Sequence, residues 1–391
     1  MSLFGWCKKV YRLCRETFYH IPKEVFTQAE NLHTGRKRIL LITHELEYTG
    51  APLVLFNIAK ILKKHNFEVM VVSYLDGKLK ERYREIGVPV GIIKHIYADI
   101  NGFVKLVKMF DLVIANTIVT YRAVWYMHDC VKFIWFIHEA RSLETDFLKY
   151  YSEACYNCPS IVDVLKEVEE IYTVSDYSKQ FFSEYSKNIK IVHNGLVDEC
   201  KNFVPKKVNP QKLIFSFVGQ LNKRKGCDIL VEAINLLPFE YANKVTFKIV
   251  GKANSRTCNF FKTVKHAEME VLGEITDRAL LNDVYKQSDL LMCVSRDDPA
   301  PLVVAEAAMF GVPSVISRDV GSTYLIEDGV SGFIVPTEDA KALCNVFMKI
   351  IVNPEILAPM QKNVRQKFLE TSTMEMFEEN FMKLVNEKLG V

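Results

Sequence analysis

What most constrains the fold of this chain is a rhythm that begins at Arg38, in which short, unbroken apolar runs alternate with stretches of helical period. Arg38 to Thr43, Glu68 to Tyr74, Val88 to Ile92, Asp111 to Asn116 and Val131 to His138 are rich in Val, Ile, Leu and Phe. A strand of that kind must be covered on both faces, as happens when helical crossovers return each strand parallel to the last. The rhythm therefore predicts a doubly wound α/β sheet whose ligand-contacting side chains emerge at its carboxyl edge. It resumes after a polar, lysine- and proline-containing stretch from Asp198 to Gln211, with strands expected at Lys212–Val218, Val245–Val250, Asp289–Val294 and Gly332–Val335. A length of 391 residues suits two such domains better than one core.

The expected boundaries are a basic amphipathic segment at 1–37, a first domain at 38–194, a second at 195–373, and a C-terminal helix at 374–391 that packs back on the first. Asn194-Gly195 is a turn signal beside the polar stretch and reads as a hinge. In the first 38 residues Lys8, Lys9, Arg12, Arg15, Lys23, Arg36, Lys37 and Arg38 outnumber Glu16, Glu24 and Glu30 and interleave with Leu3, Phe4, Trp6, Val10 and Phe18. That composition suits residues 1–36 lying on an anionic membrane surface, and equally a helix packed on its own domain or on a partner. No run of apolar residues is long enough to span a bilayer. A net charge of +3 gives no support to a nucleic-acid partner. The 10 cysteines are scattered and follow no secretion signal, so the expectation is a cytoplasmic chain, or one peripheral on the cytoplasmic membrane face. Cys155-x-x-Cys158 lacks a second pair at metal spacing.

Chemistry concentrates in a few turns. No Gly-x-Gly-x-x-Gly follows the first strand, which removes support for a dehydrogenase-type dinucleotide site; Thr49-Gly50-Ala51-Pro52 stands there instead, before a helix expected from Leu53 to Lys64. His138-Glu139 closes an apolar strand, where ligand-contacting side chains emerge. Gly219-Gln-Leu-Asn-Lys-Arg-Lys225-Gly226 joins strand to helix through a basic loop, a possible anion cradle. Farthest along, Ser-Arg-Asp-Asp298-Pro-Ala-Pro-Leu302-Val303-Val-Ala-Glu306 reads as strand end, acidic turn and helix start, with Pro301 in the first turn and Gly311 ending the helix. The N–H groups of Leu302 and Val303 and the positive end of the dipole suit a phosphate. Asp298 and Glu306 bracket that start, although acids there also serve simple capping.

In this order the motifs resemble the retaining glycosyltransferases of the GT-B fold, the large family (glycosyltransferase family 4, group 1) with a Glu-x7-Glu signature. The resemblance covers roughly residues 38 to 390, with Val271-Leu-Gly273-Glu274-Ile similar to the family's base-binding turn. It implies two Rossmann-like domains facing across a cleft. It also implies transfer of a sugar, with retention, from a nucleoside-diphosphate sugar to a saccharide or lipid-linked acceptor hydroxyl, in cell-surface polysaccharide or glycoconjugate synthesis. On the matching positions, Asp298 would contact the transferred sugar, Glu306 the donor ribose and Lys225 the diphosphate, while His138 would orient the sugar. Gly50, Gly219, Gln220, Gly273, Glu274, Ala300, Leu302 and Val303 would complete the donor site; His44, Glu45 and Asn194 are expected on the acceptor side. With lysine and amides to meet the phosphate charge, no metal or further cofactor is expected. Two positions depart from the pattern: Asp298 stands for Glu, and Gln220 for an Arg that holds the diphosphate. They keep open a non-catalytic nucleotide-sugar-binding subunit; a nucleotide-sugar epimerase on the same fold is a third reading.

Overall fold

The structure is a computed structural model that describes residues 19–32, 35–141, 158–252 and 261–391. The chain forms two compact units, one comprising the chain up to Thr173, Phe181–Ile191 and Glu378–Val391, the other Val174–Gln180 and Val192–Phe377. Each is built on one parallel sheet. In the first unit β1 (Arg38–Thr43), β2 (Glu68–Ser73), β3 (Val90–Ile92), β4 (Leu112–Asn116), β5 (Phe133–Ile137), β6 (Ile171–Thr173) and β7 (Ile189–Ile191) lie in the order β3-β2-β1-β4-β5-β6-β7. In the second, β8 (Leu213–Val218), β9 (Val245–Val250), β10 (Glu268–Gly273), β11 (Leu290–Cys293), β12 (Ser314–Ser317) and β13 (Gly332–Val335) lie in the order β10-β9-β8-β11-β12-β13.

Both orders reverse direction once, between β1 and β4 and between β8 and β11. Crossovers leave these points toward opposite faces, so a crevice opens at the carboxyl ends of those strands. The apolar runs explain why the sheets are covered on both sides. In β11, Leu290 and Met292 join one core with Phe215, Phe247 and Phe347, while Leu291 and Cys293 join another with Ala307, Ile316 and Phe368. Phe215, Phe247 and Phe347 are fully buried and pack with ring centroids 5.4 to 5.8 Å apart. Each contributes about 1.5–3 kcal/mol by leaving water.

Several elements differ locally from expectation. The strand expected from Val88 begins at Val90, because Pro89 has no N–H to give the ladder; its carbonyl alone accepts from Val71 N, at 2.9 Å. Helix α1 (Gly50–Lys64) starts three residues before Leu53, since Pro52 occupies a first-turn position whose N–H would be unused. The helices α2 (Cys227–Leu236), α3 (Arg278–Gln287), α4 (Leu302–Met309) and α5 (Met374–Leu389) follow in the second half of the chain. Pro301, expected in the first turn of α4, is its N-cap.

The Asn194-Gly195 pair is not an open turn. A Cβ on Gly195 would come within 2.5 Å of Phe377 Cβ and 2.8 Å of Thr373 O, and the following residue, Leu196, pairs with Thr373. Glycine is needed there for close approach. From Glu378 onward α5 belongs to the first unit, with Glu378 bound to Lys64 and His65 and Lys388 bound to Glu170.

Of the amino-terminal segment, Tyr19–Leu32 is described and is built into the first core. Ile21, Val25, Ala29 and Leu32 are buried, and Ile21 N donates to Asp99 Oδ2 at 3.0 Å. Residues 1–18, and with them half of the eight basic residues named above, lie outside the described residues, as does Cys155; Cys158 is buried. Among the described residues no single helix is long and apolar enough to cross a membrane. Nor does any group of three or more His, Cys, Asp or Glu there have metal-holding geometry.

Candidate active site

At the first unit's switch point, the end of β1 supplies His44 and Glu45, the end of β4 supplies Asn116, and the residues after β5 supply His138 and Glu139. Hydrogen bonds join them. Asn116 Nδ2 donates to Ala51 O at 3.1 Å, and Asn116 Oδ1 meets His138 Nε2 at 2.9 Å. One oxygen of Glu139, Oε2, accepts from the N–H groups of both Ile118 (3.1 Å) and His138 (3.0 Å). His44 Nδ1 lies 3.3 Å from Thr117 Oγ1, and its Nε2 lies 3.6 Å from Glu45 Oε1, which also accepts from Thr49 Oγ1 at 2.8 Å.

Thr117 carries a φ of 72°, costly for a β-branched residue. It is over-determined: its N–H donates to Phe136 O at 2.8 Å, and its own carbonyl accepts from Trp135 Nε1 at 2.9 Å and from Thr120 Oγ1 at 2.8 Å. Such strain persists only where surroundings enforce it. Burial dominates the electrostatics here. It pushes His138 down to about 3, helped by the neighbouring His44, and Glu139 up to about 7 against its backbone hydrogen bonds. His44 is lowered by burial, with Glu45 opposing. An added Cβ on Gly50 would meet nothing within 4 Å, so packing does not require glycine there.

The second unit's site is made of charges. Gly219, Gly251 and Gly273 stand at the ends of β8, β9 and β10; a Cβ on Gly251 would sit 1.7 Å from Gly219 O, which is why no side chain rises there. The loop after Gly219 is fastened to the acidic turn after β11. Lys225 Nζ is ion-paired with Asp298 Oδ2, Arg224 Nη1 donates to Asp297 O at 2.9 Å, and Arg296 grips Asp228 bidentately at 2.8 and 2.9 Å. Gly226, at φ 74°, lets the loop pass where a Cβ would be 2.1 Å from Val294 O. Behind the turn, Ser175 Oγ donates to Pro299 O at 2.6 Å and Tyr177 OH to Asp297 Oδ1 at 2.8 Å.

Asp298 is buried, and the turn it occupies leads through Ala300 to α4, whose first residues Leu302 and Val303 have N–H groups without intrahelical partners. Farther along α4, Glu306 is held at both oxygens, by Arg278 Nη1 at 2.6 Å and Tyr285 OH at 2.6 Å. Arg278 Nε also reaches Glu199 Oε1, at 3.2 Å. Burial would lower the guanidinium's pKa, but the Glu306 and Glu199 charges raise it overall, while burial beside Glu306 raises Tyr285 well above the usual phenol range.

The residues read from sequence thus divide. His44, Glu45, Gly50 and His138 gather in the first unit. Gly219, Gln220, Lys225, Asp298, Ala300, Leu302, Val303 and Glu306 flank the β8–β11 crevice in the second. Gly273 and Glu274 end β10 at the sheet edge, about 10 Å from β8 by strand spacing. Asn194 is buried and belongs to the second unit, whereas His44 and Glu45 belong to the first. Gln220 is exposed and accepts from Asn222 Nδ2 at 3.3 Å. Of the nearby cations Arg224 is committed to Asp297, whereas Lys223 Nζ has no carboxylate partner among the described residues.

Asn116, Thr117, Tyr177 and Arg278 escaped sequence reasoning, and of these only the strand-end position of Asn116 could have drawn attention. Val174-Ser175, a strand end before a helix, resembles a feature of the family, but its contact with Pro299 was not legible. Two cavities, of about 490 and 380 Å³, are lined by residues such as Lys132, Glu170 and Lys388, and Lys206, Lys212 and Asp289, next to the amino-terminal ends of their strands.

Comparison with known proteins covers both units. The model described as "Glycosyl transferases group 1" matches residues 198–367, and that described as "Glycosyl-transferase family 4" matches residues 35–190. An uncharacterized glycosyltransferase of Haemophilus influenzae is 26% identical over 339 residues, covering 81% of this chain and 90% of that protein. An uncharacterized 41.2 kDa protein in the cps region of Klebsiella pneumoniae is 28% identical over 169 residues, 41% of this chain; the match spans 45% of that protein's length. The crystal structure of Anabaena HepE in complex with UDP superposes with a TM-score of 0.72 at 19% identity, covering 90% of this chain and 100% of that one, a likeness of fold.

Proposed function

Because the chain belongs to the glycosyltransferases of group 1 and family 4, with one family model on each unit, we propose that it moves a hexose, with retention, from a uridine-diphosphate sugar to a saccharide or lipid-linked hydroxyl. The observation that carries this reading is the Lys225–Asp298 pair beside the start of α4, where one cation and free amides converge. In the proposed step the anomeric carbon–oxygen bond breaks and its electron pair goes to the departing diphosphate. The acceptor oxygen bonds to the carbon on the same face, and its proton passes to the diphosphate. Lys225 and the N–H groups of Leu302 and Val303 meet the developing charge without reorganisation. Asp298 takes sugar hydroxyls once Lys225 turns to phosphate, and Glu306, held by Arg278 and Tyr285, takes the ribose hydroxyls. Charge stabilisation of this kind needs no metal.

HepE was crystallised with UDP, which favours a uridine donor; the cps region of the Klebsiella relative favours a polysaccharide product. Incubation of the purified protein with UDP-glucose, UDP-galactose and UDP-N-acetylglucosamine, with and without saccharide acceptors, tests the reading. UDP release that vanishes in Lys225→Ala and Glu306→Ala supports it. Gln220, which lacks the permanent charge of arginine, favours one rival, a nucleotide-sugar-binding subunit without turnover. Tight donor binding with no UDP release under any acceptor would establish the rival.

A further inference from the structure

The hydrogen bonds around His138 decide more than its position. Ala51 O is a carbonyl and can only accept, so the end of the Asn116 amide that faces it, at 3.1 Å, must be the NH₂. The other end, 2.9 Å from His138 Nε2, is therefore the carbonyl oxygen, which also only accepts. His138 Nε2 must then carry a proton. In a neutral imidazole the remaining nitrogen, Nδ1, holds a lone pair, and among the described residues it has no protein partner.

We propose, resting on the glycosyl-transfer reading, that Asn116 is a positioning residue that locks His138 in its Nε2–H tautomer, so that His138 reads a sugar hydroxyl through Nδ1 and not a phosphate oxygen. A lone pair accepts from a hydroxyl and repels a phosphate oxygen. A protonated ring would do the opposite, and the site is arranged against protonation. His138 is half-buried, His44 is its cationic neighbour when charged, and the nearest carboxyl, Glu139, is directed to two backbone N–H groups. Glu45, the other acid of this cluster, faces His44. The main-chain anchor on Ala51 lies in the first turn of α1, so the tautomer is tied to the conformation of that turn.

The test uses the whole chain labelled with ¹⁵N-histidine. Two-bond ¹H–¹⁵N spectra at pH 7, with His138 identified by its absence in His138→Ala, are expected to show a protonated Nε2 and an unprotonated Nδ1. A protonated Nδ1, as neutral tautomer or as imidazolium, overturns the proposal. In Asn116→Asp the amide donor is gone and a charge faces Nε2. There His138 is expected to titrate at least one pH unit higher than in the parent and to keep its Nε2 proton, since a carboxylate also only accepts. An unchanged titration in a folded variant overturns it. Monodeoxy analogues of UDP-glucose give the ligand side: one analogue should lose about tenfold in affinity for the parent chain and nothing for His138→Ala. If no analogue behaves so while UDP-glucose binds, the hydroxyl reading falls. If UDP-glucose and the other nucleotide sugars do not bind at all, the transferase reading falls, and the spectrum of the parent chain still decides the tautomer.

Discussion

The two units place their functional side chains at equivalent points of equivalent sheets yet build them from different chemistry. At the β1–β4 switch the groups are half-buried, hydrogen-bonded and pushed toward neutrality, as His138 and Glu139 are. At the β8–β11 switch they are ion pairs, Lys225 with Asp298, Arg278 with Glu306 and Arg296 with Asp228. The difference teaches that this fold supplies a crevice and leaves its polarity to a handful of strand-end residues. A neutral cluster suits a ligand part that offers hydroxyls; a charged one suits a part whose charge changes during reaction.

The sharpest way to break the comparison is Lys225→Ala. Removing one preorganised charge-stabilising group costs on the order of 10²–10³ in turnover, so kcat/KM for a uridine-diphosphate hexose should fall by that amount. Lys225→Arg should recover part of it, since charge outweighs shape at this point. If His138→Ala costs more than Lys225→Ala in the same assay, the division of labour between the units is reversed.

Next in size is Arg278→Ala. Glu306 is largely buried, so its charge is left with Tyr285 alone; Arg278 is 39% exposed, which discounts the loss to about 1–2 kcal/mol in urea unfolding. The donor KM should rise as well, because the carboxylate loses its fixed orientation. An unchanged midpoint and KM would show that Glu306 needs no such holder.

Smaller effects appear in pH dependence. His138 has a depressed pKa in the fold, so unfolding takes up a proton and stability falls as pH drops from 6.5 toward about 3. Glu139 has a raised one, so unfolding releases a proton and stability falls as pH climbs from 4.5 to about 7. Between 4.5 and 6.5 the two slopes oppose each other. Denaturant midpoints of Glu139→Gln should therefore rise with pH across that window relative to the parent chain, and those of His138→Gln should fall. Parallel profiles for both variants would remove the proposed neutrality of the cluster. The smallest expected change is none: treatment with EDTA should leave turnover intact, and a loss restored by a divalent cation would overturn a charge balance based on lysine and amides.

Much of this was legible in the chain itself. Apolar runs such as Arg38–Thr43 and Val245–Val250 coincide with β1 and β9, because a strand buried on both faces has no polar alternation to blur it. Gly226, Lys225, Asp298 and Glu306 could be read because each lies in a contiguous turn or in the helix that follows it, where geometry depends on near neighbours. Asn194 could not be placed in the same way. Asn194-Gly195 carries a turn signal, but the approach of Thr373 and Phe377 to Gly195, distant in sequence, decided its environment.

The order of residues by itself determined the two parallel sheets, since hydrophobic period and helix punctuation are local; the strand order that sets their switch points is tertiary. Only tertiary structure decided that Lys225 meets Asp298, that Arg278 holds Glu306 and that Asn116 sets the protonated nitrogen of His138. These pairings join residues 22 to 73 positions apart, and no local pattern encodes which strand ends a crossover will bring together.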